Sequence, residues 1–311
     1  MLSSLFSPRL SGRLSGRLSG RLSGRSRGGA SDILLAACLW GTTGTVRTFA
    51  PATAGPITVG AARIILGGLL LFVLARRGDG LRRLLTGGRR TWVVLALGAL
   101  CVAVYQIAFF TAVARTGVAT GTVVTIGSAP AFTGLLSLLA RQGGLSRRWM
   151  LSTAGAVTGC ALLVSGGRAA GVEPVGIALA LLSGLGYAVY STLAARLITR
   201  GEDDRAVVGA LFGGAAVLLL PVFLSREPGT LLTGSGLLVT LYLGAVTTGL
   251  GYVLYARGLR TTPVATATTL GLAEPAVAAL LGLAVLSEHL GGVALIGLAV
   301  LGGSIVLLAT A

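Results

Sequence analysis

The sequence predicts an all-α integral membrane protein, with ten transmembrane helices arranged as two inverted five-helix repeats. Three observations carry this prediction. Of 311 residues, 54% are hydrophobic and only 11% are charged, where soluble domains carry roughly 25%. Apolar stretches of bilayer-spanning length follow one another from about residue 31 to the end. Short segments recur, in order, 146 residues apart.

A span needs about 20 apolar residues. Ten such segments are read at 31–49, 56–75, 92–111, 117–140, 149–166, 174–195, 206–224, 236–256, 263–286 and 291–310. The basic residues sort between the connections. All are Arg, and 20 of them fall in the N-terminal tail and in alternate connections, for example Arg76, Arg77, Arg82, Arg83, Arg89 and Arg90 between the second and third spans. Only Arg115, Arg168 and Arg226 fall on the other side. The positive-inside rule then places both termini in the cytoplasm of a multi-pass chain in the cell membrane. An odd number of spans would scatter the later arginines over both faces.

Residues 1–30 form a tail that includes "RLSGRLSGRLSGRLSGR" (9–25), a repeated Leu-Ser-Gly-Arg tetrad. Gly and Ser in every unit weaken a helix, and the tail has no continuous apolar run like that of a signal peptide. Its two readings are a low-complexity stretch that holds the N-terminus inside, which is favoured, and a polybasic arm on anionic lipid.

The repeat divides the rest of the chain. "VATGTVVTIGSAP" (118–130) matches "VATATTLGLAEP" (264–275), and "LGALCVAVYQIAFF" (97–110) matches "LGAVTTGLGYVLYA" (243–256). Two halves follow, 31–166 and 174–310, each with five spans. Five is odd, so the second half enters the membrane inverted. Inverted halves permit alternating access to a site near the midplane. A monomer already holds both halves and is sufficient, and a dimer is compatible.

Several chemistries are excluded. Without Lys there is neither a P-loop nor a Schiff-base lysine. The lone His289 and the isolated Cys38, Cys101 and Cys160 make no metal or disulfide framework. No cofactor, catalytic centre or metal site is expected. The +16 net charge is read as topology and not as nucleic-acid binding.

These residues carry a resemblance. "LWGTTGTV" in the first span, "GAARIILGGLLL" in the second, "APAFTGLL" in the fourth and "AEPAVAALLGLAVLSEHL" in the ninth resemble the drug/metabolite transporter superfamily, specifically its EamA-type transporters. The resemblance covers about 31–310. One departure is "LLARQGG" at the end of the fourth span, where family members often carry a Glu. The resemblance implies ten helices, no enzymatic activity, and secondary transport, commonly efflux of amino acids or related metabolites. Nucleotide sugars or drugs are the substrate-level alternative, and a passive facilitator or channel is the mechanistic one.

The candidate site rests on polar residues inside spans. Glu274 lies near the middle of the ninth span, where a charge costs roughly 2.5–3.5 kcal/mol unless it faces a cavity or a partner. Pro275 follows at once and is expected to free the carbonyl of Gly271 in a bent helix. Pro130 does the same to Ile126 in the other half, with Ser128 in place of the acid. Arg63 lies within about 4 Å of mid-span by helical rise. It is either an ion-pair partner of Glu274 or the second arm of a substrate site, with Arg63 on a carboxylate and Glu274 on an amine. Trp40, Tyr105, Tyr187, Tyr190 and Tyr252 sit on helical faces that would line a pocket; plain packing is the alternative for each. Arg47 is placed near the outer mouth. Gly117–Gly121, Gly155–Gly159 and Gly209–Gly213 have the spacing for close helix packing.

Overall fold

The computed structural model describes residues 23–140, 145–165, 173–226, 228–231, 234–285, 289 and 291–310. Among them every regular element is helical: α1 (Ser23–Arg47), α2 (Pro56–Ala75), α3 (Asp79–Leu85), α4 (Arg89–Leu139), α5 (Arg147–Ser165), α6 (Pro174–Thr199), α7 (Asp204–Leu224), α8 (Gly234–Leu241), α9 (Gly251–Gly258), α10 (Val264–Leu270), α11 (Ala273–Val285) and α12 (Gly292–Ala309). A π-helical stretch, Tyr242–Leu250, joins α8 to α9, and a short 3-10 turn covers Pro228–Leu231.

Local chemistry sets the boundaries. Pro56 and Pro174 open α2 and α6, where the missing N–H would have been an orphan anyway. Asp203 caps α7, its carboxylate accepting from the Ala206 N–H at 2.9 Å. Within α4, Gly117 alone leaves helical geometry, with φ 83° and ψ 157°. That conformation favours glycine. It turns α4 back on itself, so the third and fourth predicted spans become its two arms. Gly117 thus serves as a turn and not as a packing glycine.

Eight helical segments among the described residues are long and apolar enough to cross a membrane. The first and fifth predicted spans lie on α1 and α5, which are absent from that set. Asp32 and Arg47 dilute the apolar character of α1, and Arg147 and Arg148 with Gly, Ser and Thr that of α5. The helix α1 also starts at Ser23, eight residues before the predicted span. Its early turns are held against α9: a Cβ at Gly29 would meet the Thr261 and Thr262 hydroxyls and the Gly258 carbonyl. Most of the tail, residues 1–22, lies outside the described residues.

Small residues let the helices pack closely. The helices α2 and α7 run together, as do α5 and α12, and α6 lies along α4. A Cβ at Gly209 would meet the Leu71 carbonyl at 2.9 Å, and one at Gly159 the Leu301 nitrogen at 2.5 Å. Both glycines belong to predicted close-packing pairs. The large exposed apolar side chains, such as Val217, Leu238, Ile296 and Val306, point away from this core and suit acyl chains. Cys160 is buried and Cys101 half-buried, as packing residues would be, whereas Cys38 is exposed.

Candidate functional site

The ninth predicted span, whose helix covers Val264–Val285, is interrupted by a tightened turn at Gly271–Leu272. The helix α10 ends at Leu270, and α11 starts at Ala273. Pro275 sits in the first turn of α11, where proline is tolerated. The Gly271 carbonyl, expected to be free, accepts the Glu274 N–H at 3.0 Å. Glu274 is therefore a first-turn residue of a half-helix, where the macrodipole favours a negative charge. Discontinuous helices of this kind occur in membranes where they are buried in protein or line a cavity.

Here the break lines a cavity of about 650 Å³. Trp40, Arg63 and Tyr105 form its wall from the first half, and Tyr187, Tyr252 and Glu274 from the second. Pro275 lines it as well. Arg63 and Glu274 thus share one chamber. They do not form an ion pair: among the described residues the pairs within 4.0 Å are Arg115–Glu173, Arg257–Asp32 and Arg260–Asp204. The Arg63 Nε is buried with no hydrogen-bond partner. An unpaired buried donor beside an open chamber is costly unless something occupies it.

The aromatic residues are tied in by their polar ends. The Tyr105 and Tyr252 hydroxyls meet at 2.9 Å, joining the halves. The Trp40 indole N–H donates to the Thr247 carbonyl at 3.0 Å, in the π-helical stretch. Its ring lies 5.0 Å from that of Tyr252, centroid to centroid. Trp40 therefore offers the cavity an apolar ring and no free donor.

Three predicted residues do not line the cavity. Tyr190 is buried behind it, stacked on Tyr105 at 5.8 Å and packed against Phe212. The Ser128 hydroxyl donates to the Thr125 carbonyl at 3.1 Å within its own helix. Pro130 is passed by α4 without a break, and the Thr133 hydroxyl donates to its carbonyl at 3.0 Å. The two halves differ here for a physical reason. The second half breaks at Gly271–Leu272 ahead of its proline, whereas the first half stays helical through the same stretch.

The cavity reaches one end of the molecule. Its wall includes Arg47 at the end of α1, Val59 near the start of α2, Val113 near the end of the first arm of α4 and Val164 near the end of α5. The Arg47 guanidinium lies over the Phe110 ring at 5.9 Å. The floor is Thr268 on α10, whose hydroxyl meets that of Thr133 at 2.7 Å. Sequence reasoning missed Thr122 and Thr268, which both line the cavity. The repeat held the signal: they occupy the same place in "VATGT" and "VATAT".

The EamA-like transporter family model matches twice, over residues 28–165 and 174–310. The chain is 36% identical over 269 residues to "Uncharacterized transporter YwfM" of Bacillus subtilis, covering 86% of this chain and 89% of that one. It is 31% identical over 268 residues to "Protein PecM" of Dickeya dadantii, covering 84% and 86%. A crystal structure of a protein 22% identical superposes with a TM-score of 0.75 over 89% of this chain and 95% of that one, which speaks to the fold alone.

Proposed function

The chain belongs to the EamA-like transporter family and is a multi-pass membrane transporter; from that premise we propose that it is a secondary transporter that exports amino acids or related small metabolites by alternating access. In this reading α1 and α5 also cross the membrane, which makes ten spans in two inverted halves. The arginine-rich connections then lie in the cytoplasm with both termini, and the cavity is open to the outside of the cell membrane.

One observation carries the substrate class. Glu274 and Arg63, whose Nε has no hydrogen-bond partner among the described residues and whose guanidinium is otherwise bonded to the Tyr105 side chain, face one chamber without pairing to each other. A zwitterion with a carboxylate on Arg63 and an ammonium on Glu274 would satisfy both groups. Tyr105, Tyr187, Tyr252 and the Trp40 ring would take its apolar part.

The test is growth protection and efflux in a bacterium expressing the chain, across amino acids and their toxic analogues. Glu274→Gln keeps the shape and removes the charge. A charged hydrogen bond contributes about 1.5–3 kcal/mol, so export should fall at least about ten-fold. Full export by the Gln variant would remove the ammonium role of Glu274. Absence of export for every amino acid would remove the substrate class.

A further inference from the structure

Two of the ion pairs outside the cavity are related by the repeat. Arg115 ends the first arm of α4, and Glu173 caps the start of α6. Arg257 ends α9, and Asp32 lies in the early part of α1, where the predicted first span begins. In each case the first helix of one half is joined to the third helix of the other, since the repeat matches 97–110 with 243–256. The arginines are displaced by about a helical turn. Arg115 precedes the "VAT" motif by three residues and Arg257 precedes its copy by seven. The inversion puts the two pairs at opposite ends of the bundle.

The backbone approach beside each pair repeats as well. A Cβ at Gly176 on α6 would meet the Thr116 methyl and the Arg115 Cβ. One at Gly29 on α1 would meet the Thr261 and Thr262 hydroxyls and the Gly258 carbonyl, and one at Gly258 would meet Ile33 and the Gly29 carbonyl. Each crossing is thus a glycine contact with an acid–arginine pair. The Asp32 pair is the more enclosed, with its carboxylate side chain 9% exposed and the Arg257 Nε donating to it at 2.6 Å.

Their simultaneous presence decides what they do. A gate that controls access from one end must be apart when the cavity opens there. The cavity opens at the end that carries Val113, two residues from Arg115. Yet Arg115–Glu173 is formed at that same end. Its counterpart is formed at the closed end. Arg115–Glu173 therefore does not follow access, and the repeat makes Asp32–Arg257 its counterpart.

Building on the alternating-access reading, we propose that Asp32–Arg257 and Glu173–Arg115 are two permanent clamps. Each ties the first helix of one half to the third helix of the other, and the remaining helices shift about them during transport. Of the helices that bound the opening and floor of the cavity, α2, the second arm of α4 and the α10–α11 pair are the movers. The clamps explain how each half can tilt against the other without the first and third helices separating.

The experiment uses the full chain in proteoliposomes, with Cys38, Cys101 and Cys160 replaced by Ala. Counterflow of a mixture of radiolabelled L-amino acids is the readout. Asp32→Cys with Arg257→Cys, and separately Arg115→Cys with Glu173→Cys, are joined by a short reducible bis-thiol reagent. Each joined protein should keep counterflow to within about two-fold of its own reduced form, since a pivot does not change length between states. Counterflow that stops on joining and returns on reduction overturns the proposal and leaves alternating access standing. A parent chain without counterflow removes the reading beneath it, and the proposal falls with it. If the cysteine variants fail to fold, the exchanged pair Asp32→Arg with Arg257→Asp replaces them. It should recover the counterflow that either single change loses, and failure to recover counts against the clamp.

Discussion

The hydroxyls of Thr133 and Thr268 meet at 2.7 Å beneath the cavity, and this contact joins the second arm of α4 to α10 across the two halves. The repeat-mates of the two residues stand apart. Thr122 matches Thr268 from the shared "VAT" motif, and Ala278 matches Thr133 from the shared proline. Both line the open cavity. The closed contact at one end and the open one at the other are therefore two versions of the same crossing. In the proposed cycle they exchange.

Removing this contact should shift the balance between states with little harm to the fold. Each hydroxyl also lies within hydrogen-bond reach of carbonyls in its own helix, Thr133 of Ala129 and Pro130 and Thr268 of Ala265, so one of the two gives its proton to the other hydroxyl and the second gives its proton to its own helix. In the double variant Thr133→Val, Thr268→Val no buried hydroxyl is left stranded. The lost hydrogen bond contributes about 0.5–1.5 kcal/mol, which is roughly two- to twelve-fold in the equilibrium. Labelling of Ala278→Cys by a membrane-impermeant thiol reagent from outside should fall, by up to that factor. Unchanged labelling would show that the contact does not hold the floor shut.

Trp40 gives a stability prediction of the opposite kind. Its indole N–H is the recorded partner of the Thr247 carbonyl, in a π-helical stretch whose hydroxyls at Thr247 and Thr248 already turn to the Leu243 carbonyl. Trp40→Phe keeps an aromatic ring but removes that donor. The lost hydrogen bond contributes about 0.5–1.5 kcal/mol, and the indole packing is reduced as well. Thermal unfolding in detergent should move down by several degrees. Tyr252→Phe, which removes only the hydroxyl contact to Tyr105 beside the cavity, should move it less.

Helical content and the membrane-spanning character were legible because they depend on composition and on order along the chain. Glu274, Arg63, Trp40, Tyr105, Tyr187 and Tyr252 were legible as cavity candidates because polar and aromatic groups inside apolar spans have few other uses. Tyr190 was not separable from Tyr187 on the same helix face, since only packing against Phe212 puts it behind the wall. The fate of the Gly271 carbonyl was misread because proline was treated as a kink in a continuous helix. The chain instead ends one helix and starts another, and Glu274 supplies the N–H. The π-helical stretch and the Trp40 hydrogen bond have no signature in residue spacing, because both arise from contacts between distant helices.

Two glycines on one helix should respond in opposite directions to the same substitution. Gly297 and Gly303 both lie in α12. A Cβ at Gly297 would collide with the Leu163 backbone nitrogen and lie 2.7 Å from the Gly159 carbonyl, so α5 and α12 would have to separate. Gly297→Ala should therefore destabilise by about 1–3 kcal/mol, the usual cost of overpacking. At Gly303 nothing lies within 4 Å of the added atom, and Ala is the better helix former by about 0.8–1.0 kcal/mol in water. Gly303→Ala should leave the unfolding temperature unchanged or raise it. If both variants unfold together, or if Gly297→Ala is silent, the close approach of α5 and α12 is not what holds this edge of the bundle.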